Sequence, residues 1–256
     1  MRQIKTEAVI LSTSDVFDVD RLLLLFTREI GKVRARARGV RKPTSRLTGH
    51  LLVYLPTQLE LVQTGDFYLV TQATIIQHES STYPSDPIRF LHQAGIIAEA
   101  IGRLFIDGDP HPELFDGLVY TLDRVRMLCE GSDNGMSGLV VAELLMKLLV
   151  ELGYSPQLHE CVVTGAQLAE GKIAWNSQLG GAMCFEEGSQ LPPSSLRIIS
   201  SRSIVVLRQF IRPQFMAERL GVSEQIGAEV CGLTYDYIQT IIGQPLRTVS
   251  SAELKR

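Results

Sequence analysis

The sequence is short of several features that would each signal a class of protein. No apolar run approaches the ~18 residues of a membrane-spanning helix, which excludes an integral helical membrane protein. The first apolar stretch, 8–11, is also too short for the core of a signal peptide, so export is not expected. Cysteine is sparse: Cys129, Cys161, Cys184 and Cys231 lie scattered, which excludes a disulfide-built scaffold and suits reduced thiols in a cytoplasm. Tryptophan occurs once, as Trp175, and aromatic residues make up only 7% of the chain. His50, His78, His92, His111 and His159 show no HExxH spacing. There is no P-loop, no G-x-S-x-G and no G-x-G-x-x-G run either, so nothing points to an enzyme of those kinds.

What is present is ordinary globular composition. With 45% hydrophobic and 21% charged residues in 256, the chain can bury a core without staples, and two modest domains are expected. The net charge of −3 gives no hint of a polyanion partner, but its distribution does. Residues 1–79 hold 11 Lys/Arg against 8 Asp/Glu, and the remainder 14 against 20. Within 28–46, Arg28, Lys32, Arg34, Arg36, Arg38, Arg41, Lys42 and Arg46 are opposed by Glu29 alone, a local charge of +7. A field of one sign attracts phosphates whatever the charge elsewhere, and the arginine fork matches phosphate geometry.

Up to about residue 79 the periods are those of strands. Apolar runs at 7–13 and 21–27 flank the polar stretch 12–20, whose Asp15, Asp18 and Asp20 read as loop solvation. After Gly31, residues 32–38 alternate strictly between cations and Val33, Ala35, Ala37. Leu59 and Leu61 precede Gly65-Asp66, a hairpin signal, and 67–77 reads as the return strand. Five strands in so short a span predict a small closed barrel of the OB type over 1–80. On a strand, Lys32, Arg34, Arg36 and Arg38 would share one outward face at about 6.6 Å spacing. Arg41, Lys42, Thr44, Ser45 and Arg46 would continue it in the loop. Such a row tracks a sugar-phosphate backbone without reading bases. A helical reading of 32–40 would instead group Arg34, Arg38 and Arg41, with the same electrostatic meaning. Phe17, Tyr54, Phe67 and Tyr68 are the barrel's candidates for base stacking, against the plainer reading of strand packing.

Beyond Tyr83-Pro84 the period becomes helical, and 81–256 reads as a helical domain. Asp86-Pro87 is an N-cap with proline at the first helical position. Leu91, Ala94, Ala98, Ile101 and Phe105 mark the buried stripe of a first helix, and Phe115, Leu118, Leu122, Val125 and Cys129 that of a second. The third, 139–152, is apolar nearly all round and is expected at the centre of a bundle. Residues 157–192 are rich in glycine and read as an irregular insert, with helical pattern resuming at 196–210, 214–220 and 223–242. Asp107-Gly108-Asp109 reads as a helix-ending turn. Cys161 and Cys184 bracket the insert, but Thr164 and Glu187 stand where Cys-x-x-Cys knuckles would need second thiols. His159 and Glu187 would make an unusual ligand set, so no metal and no other cofactor is expected.

Several stretches taken together resemble the RecO family of bacterial recombination mediators. They are Asp20-Arg21, the run from Leu25 through Val33, Gly39-Val40-Arg41 and Ser45-Arg46-Leu47. Further on come Leu152-Gly153-Tyr154-Ser155-Pro156-Gln157-Leu158 ahead of Cys161-Val162-Val163-Thr164-Gly165, then Leu179-Gly180-Gly181-Ala182-Met183-Cys184. Gly243-Gln244-Pro245-Leu246-Arg247-Thr248 completes the series. The resemblance implies an N-terminal OB-fold, then an all-α domain with a zinc-ribbon-like insert. It implies DNA repair in the RecF pathway: binding of single- and double-stranded DNA, strand annealing, and help in loading RecA. The implied partners are RecR and the single-stranded-DNA-binding protein, in a bacterial cytoplasm at the nucleoid. Because that protein's tail is acidic with an apolar end, its dock calls for a groove with cations, for which Arg103, Arg124, Arg126 and Lys147 are candidates. Many relatives carry four knuckle cysteines, whereas this chain has Thr164 and Glu187 at two of those places. Here Val162, Ile173, Trp175 and Met183 are expected to hold the insert by apolar contact instead.

Two other classes compete with a non-enzymatic DNA-annealing protein. One is an interaction adaptor whose barrel holds RNA or a protein, and the other a hydrolase built on an unrecognised site in the helical domain. Salt-sensitive DNA affinity separates the first from both.

Overall fold

Two stretches are apolar at every residue rather than at alternate ones, and both strands prove to be covered on two sides. The computed structural model describes residues 3–65, 67–76, 83–132, 135–192, 196–212 and 216–249. The predicted boundary at 80/81, together with His78 and Gln214, lies outside them. Five strands, β1 (Gln3–Val16), β2 (Asp20–Thr27), β3 (Gly31–Ala37), β4 (Pro56–Thr64) and β5 (Phe67–Ile75), close into a barrel in the order β1-β2-β3-β5-β4. All pairings are antiparallel except β3 with β5, which meet in parallel only at Ala35/Tyr68 and Arg36/Leu69. This is the OB-like barrel expected.

β1 is longer than its apolar run because it serves two neighbours. Its first half pairs with β4 and its second with β2, with a register shift between Ile10 and Ser12 where it bends. Ala8 and Ile10 enter the barrel core, as do Leu23 and Leu25 of β2, Val33, Ala35 and Ala37 of β3, and Leu59 and Leu61 of β4. Val9, Leu11 and Phe26 are equally buried. Phe26 meets two helices, α1 (Pro87–Leu104) and α2 (Pro112–Leu128), through aromatic contacts just beyond α1 and within α2. Its ring centroid lies 5.3 Å from Phe105 and 6.2 Å from Phe115. The Asp86 side chain caps α1 through the N–H of Arg89, with Pro87 opening the helix. Packing groups both helices with the barrel in a first unit, Met1–Gly131.

The second unit, Ser132–Arg256, is built round α3 (Met136–Glu151), buried on nearly all sides, with α5 (Ser201–Phe210) and α6 (Glu224–Ile242) against it. Three expectations are corrected here. The insert is not irregular throughout: β6 (Lys172–Asn176), β7 (Gly181–Met183) and β8 (Arg197–Ser200) form an antiparallel sheet in the order β7-β6-β8, with one helical turn, α4 (Phe185–Gly188). The helix expected from 196 begins only at 201, because pairing with β6 holds 197–200 extended and Ser200 then caps α5. Of the helix expected at 214–220, the described residues hold one 3-10 turn, Ala217–Arg219. Among the described residues no helix is long and apolar enough to cross a membrane.

Candidate nucleic-acid interface

Alternation places cations on the outer side of β3, but that side is not uniformly open. The barrel closes against β5 only at Ala35 and Arg36, leaving the start of β3 with a free edge. The segment after α1 fills it: Asp107 bridges to Lys32, and the N–H of Gly108 donates to the Lys32 carbonyl at 2.8 Å. Gly31, at φ +67°, admits this approach, since a Cβ there would lie 2.1 Å from the Asp109 oxygen. Lys32 is consequently 8% exposed. Its Nζ donates to the Gly102 carbonyl at 2.9 Å, satisfying one of the last carbonyls of α1, and pairs with Asp107 at 3.1 Å. The expected first member of the outward row is a fastener between strand and helix.

The remaining cations differ in how far they are already matched. Arg28 grips Asp116 with two hydrogen bonds, 2.8 and 2.9 Å, which lower the Asp116 carboxyl below its ordinary value and raise the guanidinium. Arg36 pairs with Asp20 at 2.5 Å and lies over the Phe17 ring, 4.9 Å from its centroid. Asp20 also accepts the Gly39 N–H at 2.7 Å. That bond, then Arg36, keeps its carboxyl below the usual range. The expectation that Asp15, Asp18 and Asp20 merely solvate a loop is corrected: Asp20 is a buried clamp, and Asp15 pairs with Arg21 at 3.0 Å and Arg41 at 3.5 Å. Arg34 is 3.9 Å from Asp107 with 68% of its side chain in solvent. Arg38, Lys42 and Arg46 are exposed, with no ion pair among the described residues. Arg34, Arg38, Lys42 and Arg46 are therefore the exposed cations of this segment whose charge is least matched.

A cleft of about 320 Å³ lies between the β1–β2 and β4–β5 turns, with Phe17, Arg36, Arg38, Phe67 and Tyr68 among its walls. Phe17 and Phe67 are exposed. Tyr68 packs partly against the barrel core, and Tyr54 lies away from this cleft, half-buried. Their burial separates the four stacking candidates into two exposed rings and two that are partly buried. Strand 2–3 faces and these two turns are where OB barrels hold oligonucleotides.

The four helical cations expected to receive an acidic tail are each occupied. Arg103 pairs with Glu99 at 2.5 Å, and Lys147 with the buried Glu143 at 2.6 Å. Arg124 lies over Tyr120, 5.2 Å from the ring centroid. Arg126 is within 3.6 Å of Asp123 and 3.4 Å of Glu130. Arg126 lines an apolar cleft of about 330 Å³ with Phe115, Val119 and Tyr120, but Glu7, Asp116 and Asp123 line it too.

The insert offers two thiols and little else to a metal. No three His, Cys, Asp or Glu side chains converge on a metal position among the described residues, so the donors present do not fit a tetrahedral zinc. Cys161 is buried and its Sγ accepts the Cys184 N–H at 3.3 Å. Burial works to raise this thiol, but hydrogen bonds from the Thr164 hydroxyl and the N–H groups of Cys184, Thr164 and Val163 outweigh it and bring it to about 7. Burial and the neighbouring Cys161 push Cys184 up. Ala174 and Met183 pack round Cys161 with Val162, Leu168 and Leu196 beside them, while Ile173 and Trp175 are buried nearby in β6.

Known proteins place the chain consistently. A family described as Recombination protein O N terminal matches residues 1–78, and one described as Recombination protein O C terminal matches 86–249. The DNA repair protein RecO of Roseiflexus sp. (strain RS-1) is 33% identical over 251 residues, 97% of this chain and 84% of that protein. That of Prosthecochloris aestuarii (strain DSM 271 / SK 413) is 30% identical over 246 residues, 91% and 90% of the two chains. The RecO of Desulfitobacterium hafniense (strain DSM 10664 / DCB-2) is 27% identical over 248 residues, 95% and 87%. With both halves matched and full-length relatives of one description, the chain belongs to the RecO family of DNA repair proteins.

Proposed function

We propose that the protein binds single- and double-stranded DNA through the open part of the basic surface and speeds the annealing of complementary strands. The observation that supports this reading is that Arg34, Arg38, Lys42 and Arg46, within thirteen residues of an OB-like barrel, are all exposed. Two complementary strands repel through their phosphates. A surface that neutralises both lets them meet, and base pairing then supplies the specificity. No catalytic group is required. Arg36 and Arg41 sit within the same field with their charge shared by Asp20 and Asp15, while Arg28 and Lys32 act as structural ties. In this reading the protein assists RecA loading on strands coated by the single-stranded-DNA-binding protein, together with RecR. These partners are drawn from the resemblance to RecO proteins, as is a bacterial cytoplasmic setting at the nucleoid. An acidic tail docking at Arg103, Arg124, Arg126 or Lys147 would have to displace an existing carboxylate or ring contact.

The test is annealing of complementary oligonucleotides, bare and coated with the single-stranded-DNA-binding protein, without ATP and across a salt series. Acceleration that fades with salt and falls when Arg38, Lys42 and Arg46 are changed to alanine is the expected result. Absence of acceleration, or binding indifferent to salt, would overturn it in favour of an adaptor.

A further inference from the structure

Cys161 and Cys184 are twenty-three residues apart in sequence and in contact in the fold. The Cys161 sulfur accepts the Cys184 N–H at 3.3 Å, and the Cys184 thiol donates to it as well. The two differ in what can reach them. Cys161 is 2% exposed, packed among Ala174, Met183 and Leu168. Cys184 is partly exposed and borders a cleft of about 250 Å³, whose walls include Leu168, Ile173 and Phe185. They also differ in state. Against the push of burial, Cys161 is held as a thiolate by the Thr164 hydroxyl and the N–H groups of Cys184, Thr164 and Val163. Burial and that neighbouring sulfur keep Cys184 protonated. Among the described residues no third donor joins them, so a metal does not account for the pair. A shielded thiolate touching a thiol that solvent can reach is the arrangement of a dithiol that captures a disulfide and then resolves it.

We infer that the insert carries a reversible thiol–disulfide site, in which Cys184 takes up a low-molecular-weight disulfide from the cleft and Cys161 closes a Cys161–Cys184 bond. In the first step Cys184 gives its proton to solvent and attacks one sulfur of the small disulfide RSSR. A Cys184–S–S–R bond forms, the original S–S bond breaks, and RS⁻ leaves and takes up a proton. In the second, the Cys161 thiolate attacks the Cys184 sulfur, its bond to R breaks, and a second RS⁻ departs through the cleft. The protein dithiol loses two electrons and RSSR is reduced to two RSH. Excess small thiol runs the same steps backwards. Glu170 and Glu186 outnumber Lys172 around the cleft, so a disulfide bearing ammonium groups suits it better than one bearing carboxylates. The bond joins the two ends of the segment that carries β6 and β7.

The experiment exposes the whole reduced protein to cystamine, a small disulfide with two ammonium groups. Exchange is halted with acid, remaining thiols are alkylated with N-ethylmaleimide in denaturant, and intact mass and unreduced peptides are read by mass spectrometry. The expected product has lost two hydrogen atoms and keeps no cysteamine. It yields one cross-linked peptide, through Cys161 and Cys184, with Cys129 and Cys231 alkylated. Cys161→Ser should stall with cysteamine attached to Cys184, and Cys184→Ser should leave Cys161 a free thiol. The unaltered protein reads the linkage directly, so the test stands even where a variant folds poorly. Cysteamine retained on Cys184 of the unaltered protein, a linkage through Cys129 or Cys231, or four alkylated thiols after exposure would each overturn the inference.

Discussion

If availability rather than number of cations governs binding, the eight basic residues of 28–46 will not contribute alike. Consider Arg38→Ala, Lys42→Ala and Arg46→Ala together, against Arg28→Ala alone. The first three side chains are exposed without an ion pair among the described residues, whereas Arg28 already shares two hydrogen bonds with Asp116. For a single strand, each phosphate contact adds about 0.7 to the steepness of log K against log salt. Losing three contacts should flatten the slope by about 2. Near 0.1 M salt each contact is worth about five-fold in affinity on the same account, so the triple variant should bind about a hundred-fold more weakly. Arg28→Ala should leave the slope close to that of the unaltered protein, because its charge is spent on Asp116. Fluorescence anisotropy with one oligonucleotide at several salt concentrations reads both quantities. A slope flattened as much by Arg28→Ala as by Arg38→Ala, or untouched in the triple variant, would refute the reasoning.

Two further outcomes follow from the packing. Gly31→Ala should destabilise the first unit by more than about 2 kcal/mol, since a non-glycine at φ +67° costs roughly 1–2 kcal/mol before the clash with Asp109 is met. Denaturant titration reads the loss, and Lys32 should then become open to amine-reactive labelling; a variant within about 0.5 kcal/mol of the parent would contradict this. The Cys161 thiol, held near 7 against an ordinary 9.0, favours the fold in its ionised form. Its contribution is full above the unfolded value and lost as pH falls through 7, so unfolding free energy should rise between pH 7 and 9. Cys161→Ala should remove that rise, and an unchanged pH profile would count against the hydrogen-bonded thiolate.

How much of this was visible beforehand depended on the range of the interactions. The alternation at 32–38 and the Gly65-Asp66 turn are local signals, and the barrel follows from them. The stripes of α1 and α2 and the cap at Asp86 are local too. The fate of Lys32 was not legible, because it is decided by Asp107 and Gly102, some seventy residues away. The same holds for Asp20, whose partners, Arg36 on β3 and Gly39 just beyond it, lie sixteen and nineteen residues on. A signal did exist: 8–11 and 22–26 are apolar at consecutive positions, which a strand needs only when both faces are covered, here by the core and by α1 and α2. β8 was hidden by its four-residue length and by Ser200, which ends the strand and caps the next helix.

The rivet at Lys32 gives the basic strand two unlike ends. Near Gly31 the strand is roofed by the turn after α1, while near Arg38 it opens onto the loop. Under the DNA-binding proposal, phosphates laid along the strand would meet exposed guanidinium from the loop back to Arg34 and, beyond it, the backbone of 107–109.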